Sequence, residues 1–307
     1  MRQPNEKTVG EQHSLYPTLA SDPGLSRSGA MNYWEAILFG IVQGITEFLP
    51  ISSTAHIVIT GYLLGQTYPG LGFEIFLHLA SVLAVLIYFR QDLQRLIAGF
   101  LRYLARRAPE DRTEFFFGLY IVVATAITGV LGVLLQGQIG DAMKQPPFVA
   151  SMLALTGACL IILERFSRYG DRREKDMTFR DSVVIGLGQT VAVLPGISRA
   201  GSTLIVALFS GLSRETAVRY SFLLSVPVIL GSSVLALGDL RDGMFGRIGW
   251  GPLILSFAVT FVCSLIGIVW LIEFLKRKKL VWFAAYLFAL ALFVFFYFPS
   301  EMVIDVE

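Results

Sequence analysis

The sequence predicts an all-α integral membrane protein, with six transmembrane helices and two re-entrant helical hairpins arranged as an inverted repeat. Three observations carry this expectation. First, 54% of the 307 residues are hydrophobic, 16% are charged and the mean hydropathy is +0.64, whereas soluble domains run near ~45–50% apolar and ~25% charged. Second, the apolar residues lie in long stretches without charge. Third, two apolar stretches are interrupted at their centres by Leu-Pro, and these two resemble each other. The pattern excludes a soluble globular enzyme, a disordered chain and a fibrous one. A formal net charge of +2 gives no reason to expect nucleic acid. Cys159 and Cys263 fall inside apolar stretches and read as small buried hydrophobes.

Residues 1–30 are polar and rich in Gly, Pro and Ser. They read as a flexible tail rather than a secretory signal, since no apolar core follows a basic start. His13 lies there and is discounted. Residues 31–307 form one membrane domain, with repeat one at about 31–166 and repeat two at about 179–298. A spanning helix needs about 20 mostly apolar residues. Phe115–Leu135, Pro147–Leu163, Pro252–Ile272 and Leu280–Phe298 qualify without a charge. Tyr220–Gly238 qualifies with an internal Pro227, which a membrane helix tolerates. Ile75–Phe89 is shorter, and Leu71–Phe73 extends it.

Residues 31–65 and 183–212 do not fit a straight span. The first contains Glu35, Glu47 and His56 and breaks at Leu49-Pro50; the second contains Arg199 and breaks at Leu194-Pro195-Gly196. Each suits two half-length helices joined by a turn, and irregular backbone at membrane depth must be buried in protein or line a wet cavity. From Gly40 and from Gly186 the two stretches share Gly, then Gln, then Leu-Pro, then Ser. Three spans follow each, and an odd number per copy forces opposite orientations. Paired interrupted segments at matching positions point to a binding site.

Orientation is an independent check. Arg90, Arg95, Arg102, Arg106, Arg107 and Arg112, the basic residues of 164–182 and 276–279, and Arg214 and Arg219 all fall on one side. Arg2, Lys7, Arg27, Lys144, Arg241 and Arg247 fall on the other. The positive-inside rule makes the first side cytoplasmic and places both termini outside.

The tips of the two hairpins should meet near the midplane, bringing Glu47 to Arg199. The plain alternative is a structural ion pair, but ionisable groups at that depth mark function by default. Gln43 and Glu47 are i, i+4 and share a helix face. Their oxygens could hold a hard divalent cation together with substrate phosphates; for Gln43 alone a helix–helix hydrogen bond serves as well. After Pro50 come Ser52, Ser53, Thr54 and His56. Ser53 and His56 are i, i+3, a candidate nucleophile and base, against the alternative of a capping serine. Pro195–Thr203 offers an anion cradle: a half-helix N-terminus, the fork of Arg199, and Ser198, Gly201, Ser202 and Thr203. Tight helix packing explains Gly201 and Ser202 without a ligand, but not Arg199. The combination suits hydrolysis of a phosphate ester or phosphoanhydride, on a lipid given its depth. Glu74 and His78 read as a cavity rim or an interfacial helix end, and Glu164 and Glu273 as solvated.

Gln43-Gly-Ile-Thr-Glu47-Phe-Leu-Pro-Ile-Ser-Ser-Thr-Ala-His56 and Pro195-Gly-Ile-Ser-Arg199-Ala-Gly-Ser-Thr203 resemble the two signature motifs of the undecaprenyl-diphosphatase, or bacitracin-resistance, family. Phe73-Glu-Ile-Phe-Leu-His-Leu and Asp176-Met-Thr-Phe-Arg extend the resemblance, which ends near Phe298. It implies conversion of undecaprenyl diphosphate to the monophosphate carrier for peptidoglycan synthesis, in the bacterial inner membrane, with a divalent cation (Mg2+ or Ca2+). Catalytic roles are implied for Glu47, Ser53, His56 and Arg199. Substrate contacts fall to Ser52, Thr54, Ser198, Gly201, Ser202 and Thr203, and the cation to Gln43 and Glu47. Gln43 stands where many members have Glu, and Ala200 where many have Ser. The expected partners are a polyprenyl diphosphate lipid and the bilayer, with no nucleic acid; a homodimer is left open. The competing class is an inverted-repeat secondary transporter or lipid flippase. A lipid phosphatase built on two histidines is excluded: the chain has only His13, His56 and His78, and none follows Ser198-Arg199.

Overall fold

The computed structural model describes residues 31–65, 70–166, 170–235, 248–277 and 279–298. The expectations for the tail at 1–30 and for Arg2, Lys7, Arg27, Arg241 and Arg247 lie outside the described residues, as does the end of the span expected to reach Gly238. Within the described residues there are eleven α-helices and no strand. They are α1 Tyr33–Thr46, α2 Ser53–Leu63, α3 Gly70–Tyr88, α4 Arg90–Arg106, α5 Arg112–Gln136 and α6 Pro146–Phe166, then α7 Phe179–Thr190, α8 Arg199–Phe209, α9 Arg214–Leu235, α10 Trp250–Arg277 and α11 Val281–Tyr297.

Four of these, α5, α6, α9 and α10, are long and apolar enough to cross a membrane. α3 joins α4 through a bend of 75°, and α11 is 17 residues long, about 26 Å at ~1.5 Å per residue. α9 runs through Pro227 without a break. Both expected interruptions are present: α1 gives way to α2 across 47–52, and α7 to α8 across 191–198.

α1 starts where Asn32 accepts from the Glu35 amide at 2.9 Å and the Glu35 carboxylate accepts from the Asn32 amide at 2.8 Å, a reciprocal capping box. α7 starts at Phe179, four residues before the apolar stretch expected from 183, because Thr178 and Asp181 make the same box. Arg172 also donates to Asp181 at 3.0 and 2.5 Å and to the Ser210 carbonyl at 2.7 Å. It therefore lashes the start of α7 to the end of α8. Burial raises the Asp181 carboxyl, but the hydrogen bonds of Arg172 and Thr178 outweigh it and hold the group below its ordinary value.

The segment 90–112, read as a basic loop, is instead mostly the helix α4. Its apolar residues Leu93, Leu96 and Phe100 recur at helical spacing and pack inward, Phe100 against Phe115 of α5, while Arg90, Arg95 and Arg106 are exposed together with Ile97, Leu101 and Leu104. At the α4–α5 turn Arg102 grips Asp111 at 2.6–3.2 Å. Those hydrogen bonds hold the Asp111 carboxyl below its usual range.

The packing is reciprocal. α1 lies along α10, and α7 lies along α5. α6 pairs with α11, and α3 with α9. Small residues make the first two contacts close. A Cβ added at Gly44 would sit 2.6 Å from the Thr260 carbonyl oxygen and 2.6 Å from Cys263 Cβ; one at Gly186 would sit 3.0 Å from Ala124 Cα. Backbone on the far side cannot yield as a flexible side chain can. Gly44→Ala is therefore expected to destabilise the protein by about 1–3 kcal/mol, seen as a lower melting temperature in detergent. An unchanged melt would mean that α1 and α10 are not in this contact.

Candidate functional site at the two helix breaks

The chain turn at 47–52 is built around one unusual residue. Ser52 precedes α2 with φ 67° and ψ 91° and gives that helix no side-chain cap. A non-glycine residue there costs on the order of 1–3 kcal/mol, and surrounding structure must hold it. The turn buries Phe48, Leu49 and Ile51 in the main core and leaves Glu47 and Ser53 facing each other. At the second break, Gly196 takes φ 93° close against the Val149 carbonyl, where a side chain would not fit.

Glu47 is 3% exposed, and four donors converge on it. Arg199 bonds its Oε1. Gln43 Nε2 reaches Oε2 at 2.7 Å, Ser53 Oγ at 2.8 Å and His78 Nε2 at 3.1 Å. A buried carboxylate is tolerated when paired and hydrogen-bonded in this way. His78 Nδ1 lies 2.8 Å from the Glu74 carbonyl, so both ring nitrogens face acceptors. Only the doubly protonated ring satisfies both. Glu47 therefore joins two cationic side chains, one from α8 and one from α3.

A cavity of about 220 Å³ opens beside this centre, walled by Thr54, Glu74, His78, Arg199, Val228, Ile229 and Ser232. Thr54 Oγ1 donates to Glu74 at 2.6 Å. The cavity lies at the Ser232 end of α9, and Arg214 and Arg219 lie at its other end. At ~1.5 Å per residue Ser232 lies about 20–27 Å from these two arginines along α9.

The structure brings Gln43, Glu47, Ser53, Thr54 and Arg199 together as expected from sequence, and adds His78 and Glu74, which sequence left at a helix end. It does not join Ser53 to His56. The Ser53 hydroxyl donates to Glu47, while His56 Nδ1 lies 2.7 Å from the Ser52 carbonyl and Nε2 lies 2.6 Å from Tyr286 Oη. The candidate nucleophile–base pair is thus Ser53–Glu47. The reason is helical direction: side chains lean toward the N-terminus, so the ring meets the carbonyl four residues back.

The second tip also differs from its expected form. Ser198 caps α8, its Oγ accepting from the Gly201 amide at 3.0 Å and donating to the Leu49 carbonyl at 3.3 Å. Ser202 donates to the Ser198 carbonyl at 2.9 Å, and Thr203 to Arg199 and Ala200 carbonyls at 3.2 Å. Gly201 packs against Pro50. These four residues join the two breaks and brace α8. The N-terminus without a side-chain cap is that of α2, next to Thr54 in the cavity wall. Ser52 is 4% exposed and shapes the turn.

Gln43 and Glu47 do not fit a divalent cation in this arrangement. The Glu47 oxygens are taken by donors, two of them cationic. The Gln43 amide turns its NH2 toward Glu47, and its Oε1 is buried with no partner among the described residues. A hard cation needs oxygens that converge on it, and here the Gln43 oxygen is turned away from the Glu47 carboxylate that its NH2 group meets.

Comparison with known proteins agrees with the two motifs. The family model described as "Bacitracin resistance protein BacA" matches residues 36–293. The chain is 64% identical over 278 residues to "Undecaprenyl-diphosphatase 2" of Halalkalibacterium halodurans, covering 90% of this chain and 100% of that protein. It is 53% identical over 268 residues to "Undecaprenyl-diphosphatase 1" of Shouchella clausii, covering 87% and 97%. It is 38% identical over 261 residues to "Undecaprenyl-diphosphatase" of Oceanobacillus iheyensis, covering 83% and 94%. With both motifs inside the matched region and the buried centre built from them, the chain belongs to the bacitracin resistance protein BacA family.

Proposed function

We propose that this protein hydrolyses the terminal phosphoanhydride of undecaprenyl diphosphate in the bacterial inner membrane, giving undecaprenyl phosphate and inorganic phosphate. The observation that carries the reading is the meeting of Glu47 and Arg199 from two separate helix breaks, with Ser53 Oγ 2.8 Å from Glu47 beside a cavity. The names of the relatives support the substrate.

Arg199 and His78 place positive charge on the cavity wall, where the diphosphate carries negative charge. The uncapped N-terminus of α2 adds backbone donors. Ser53 presents its hydroxyl as the attacking atom or as the anchor of the attacking water, and Glu47 takes the proton in either case. As the bridging P–O bond breaks, the lipid monophosphate leaves, and Arg199 neutralises charge growing on the transferred group. One water is consumed over the cycle.

We also read the chain as six spans, α3, α5, α6, α9, α10 and α11, with α1–α2 and α7–α8 as re-entrant hairpins of opposite entry. The reciprocal packing of α1 on α10 and α7 on α5 supports an inverted repeat of two halves. Arg214, Arg219 and Lys276 line a second cavity with Asp92 of α4, and Arg219 also meets Glu174; this basic end of α9 suits the cytoplasmic face. The cavity, at the far end of α9, then opens outward.

The test is phosphate release from a C55 diphosphate by purified protein in detergent, with Mg2+ or Ca2+ supplied because the family resemblance implies such a cation. The expected result is one inorganic phosphate and one lipid monophosphate per substrate consumed. Binding without any phosphate release would favour the transporter or flippase reading instead.

A further inference from the structure

The His56 ring is engaged on both sides, and neither partner is a reacting group. Its Nδ1 lies 2.7 Å from the Ser52 carbonyl. A carbonyl only accepts, so Nδ1 carries the proton and donates. Its Nε2 lies 2.6 Å from Tyr286 Oη, and in the neutral ring it accepts the phenol proton. The two rings also stack, 12° from parallel with centroids 5.6 Å apart. Tyr286 belongs to α11, which packs on α6, and α6 packs on α8.

The carbonyl that His56 holds belongs to the strained residue of the turn. Ser52 sits at φ 67° without glycine's freedom and without a side-chain cap. It is also the residue that sets Ser53 against Glu47. A positive-φ residue persists only where its surroundings fix it; here the Ser52 carbonyl is held by the His56 imidazole at 2.7 Å, closer than the 3.4 Å of the His56 backbone amide. Tyr286 in turn stops the ring from rotating away.

We propose that His56 and Tyr286 are positioning residues: a two-ring latch, tied to the second half of the chain, that pins the Ser52 carbonyl and thereby aims Ser53 at Glu47. His56 moves no proton in the reaction; it acts through the backbone. This rests on the reading of Ser53 and Glu47 as the reacting pair.

The test uses purified full-length protein and phosphate release from a C55 diphosphate, with pH profiles, for His56→Asn, His56→Leu, Tyr286→Phe and His56→Leu/Tyr286→Phe. The Asn amide can stand where Nδ1–H stands and still donate to Ser52. His56→Asn is expected to keep kcat within about tenfold of wild type with an unchanged pH profile. His56→Leu is expected to lose about a hundredfold or more in kcat at similar KM, the scale of a small misplacement of a reacting group. Tyr286→Phe should fall between them, and the double variant should be no worse than His56→Leu. If His56→Leu does not fold, Tyr286→Phe decides, since its exposed ring keeps every contact but one: a wild-type rate there overturns the latch. His56→Asn as inactive as His56→Leu, with a limb of the pH profile lost, also overturns it, since that is the mark of a proton carrier. An inactive wild type would instead overturn the proposed function, so the two failures are distinguishable.

Discussion

Arg199→Ala is expected to lower kcat/KM on a C55 diphosphate by on the order of 10³-fold or more, the range seen when an arginine is removed from a transferring phosphoryl group. That corresponds to about 4 kcal/mol of lost transition-state stabilisation. The argument is geometric. Among the described residues, Arg199 is the side chain from the second break that both bonds Glu47 and walls the cavity. Its removal leaves Glu47 with His78, Gln43 and Ser53, so the buried carboxylate stays hydrogen-bonded and the fold should survive. Arg199→Lys should recover little, because a single ammonium cannot serve a carboxylate and a phosphate as a guanidinium fork does. The check is steady-state kinetics on protein of wild-type melting temperature. Activity of Arg199→Ala within tenfold of wild type would remove Arg199 from the chemistry and leave it a strut between the two halves.

Glu47→Gln is expected to cost a comparable factor, on the order of 10²–10⁴, the range for loss of a general base. The amide is nearly isosteric, so packing is kept. It cannot take a proton from Ser53 or from water. It also leaves Arg199 and His78 facing a neutral group at a site where Glu47 is 3% exposed, so some stability is lost as well. The loss should appear in kcat with KM little changed, since Glu47 touches the nucleophile rather than the headgroup. Activity near wild type would place the base elsewhere; Glu74, on the cavity wall beside Thr54, would be the next carboxylate to replace.

Much of this centre was legible in the sequence for one physical reason. A charged residue at membrane depth is costly, so Glu47 and Arg199 stood out in apolar stretches, and the Leu-Pro breaks said where the helices would open. The rest was hidden for equally physical reasons. His78 is the partner that completes the Glu47 site, yet it lies on a different helix with no sequence period linking it to Glu47. Its i, i+4 relation to Glu74 fits any helix end. Ser53 and His56 share a face by spacing, but spacing does not set side-chain direction, and the ring turns back to Ser52. Ser198 spends its hydroxyl on capping α8, so the free helix N-terminus is the other one. From sequence α4 looks like a loop because its arginines mask the apolar stripe of Leu93, Leu96 and Phe100.

The claim that two breaks from opposite halves make one reacting centre is tested most directly by a double-mutant cycle on phosphate release. Glu47→Gln, Arg199→Ala and the combined variant would be measured under one set of conditions. If the pair works as a unit, the combined variant will be about as slow as the slower single one, since groups that act together are strongly non-additive. Losses that multiply, as independent sites give, would contradict a shared centre at the meeting of the two helix breaks.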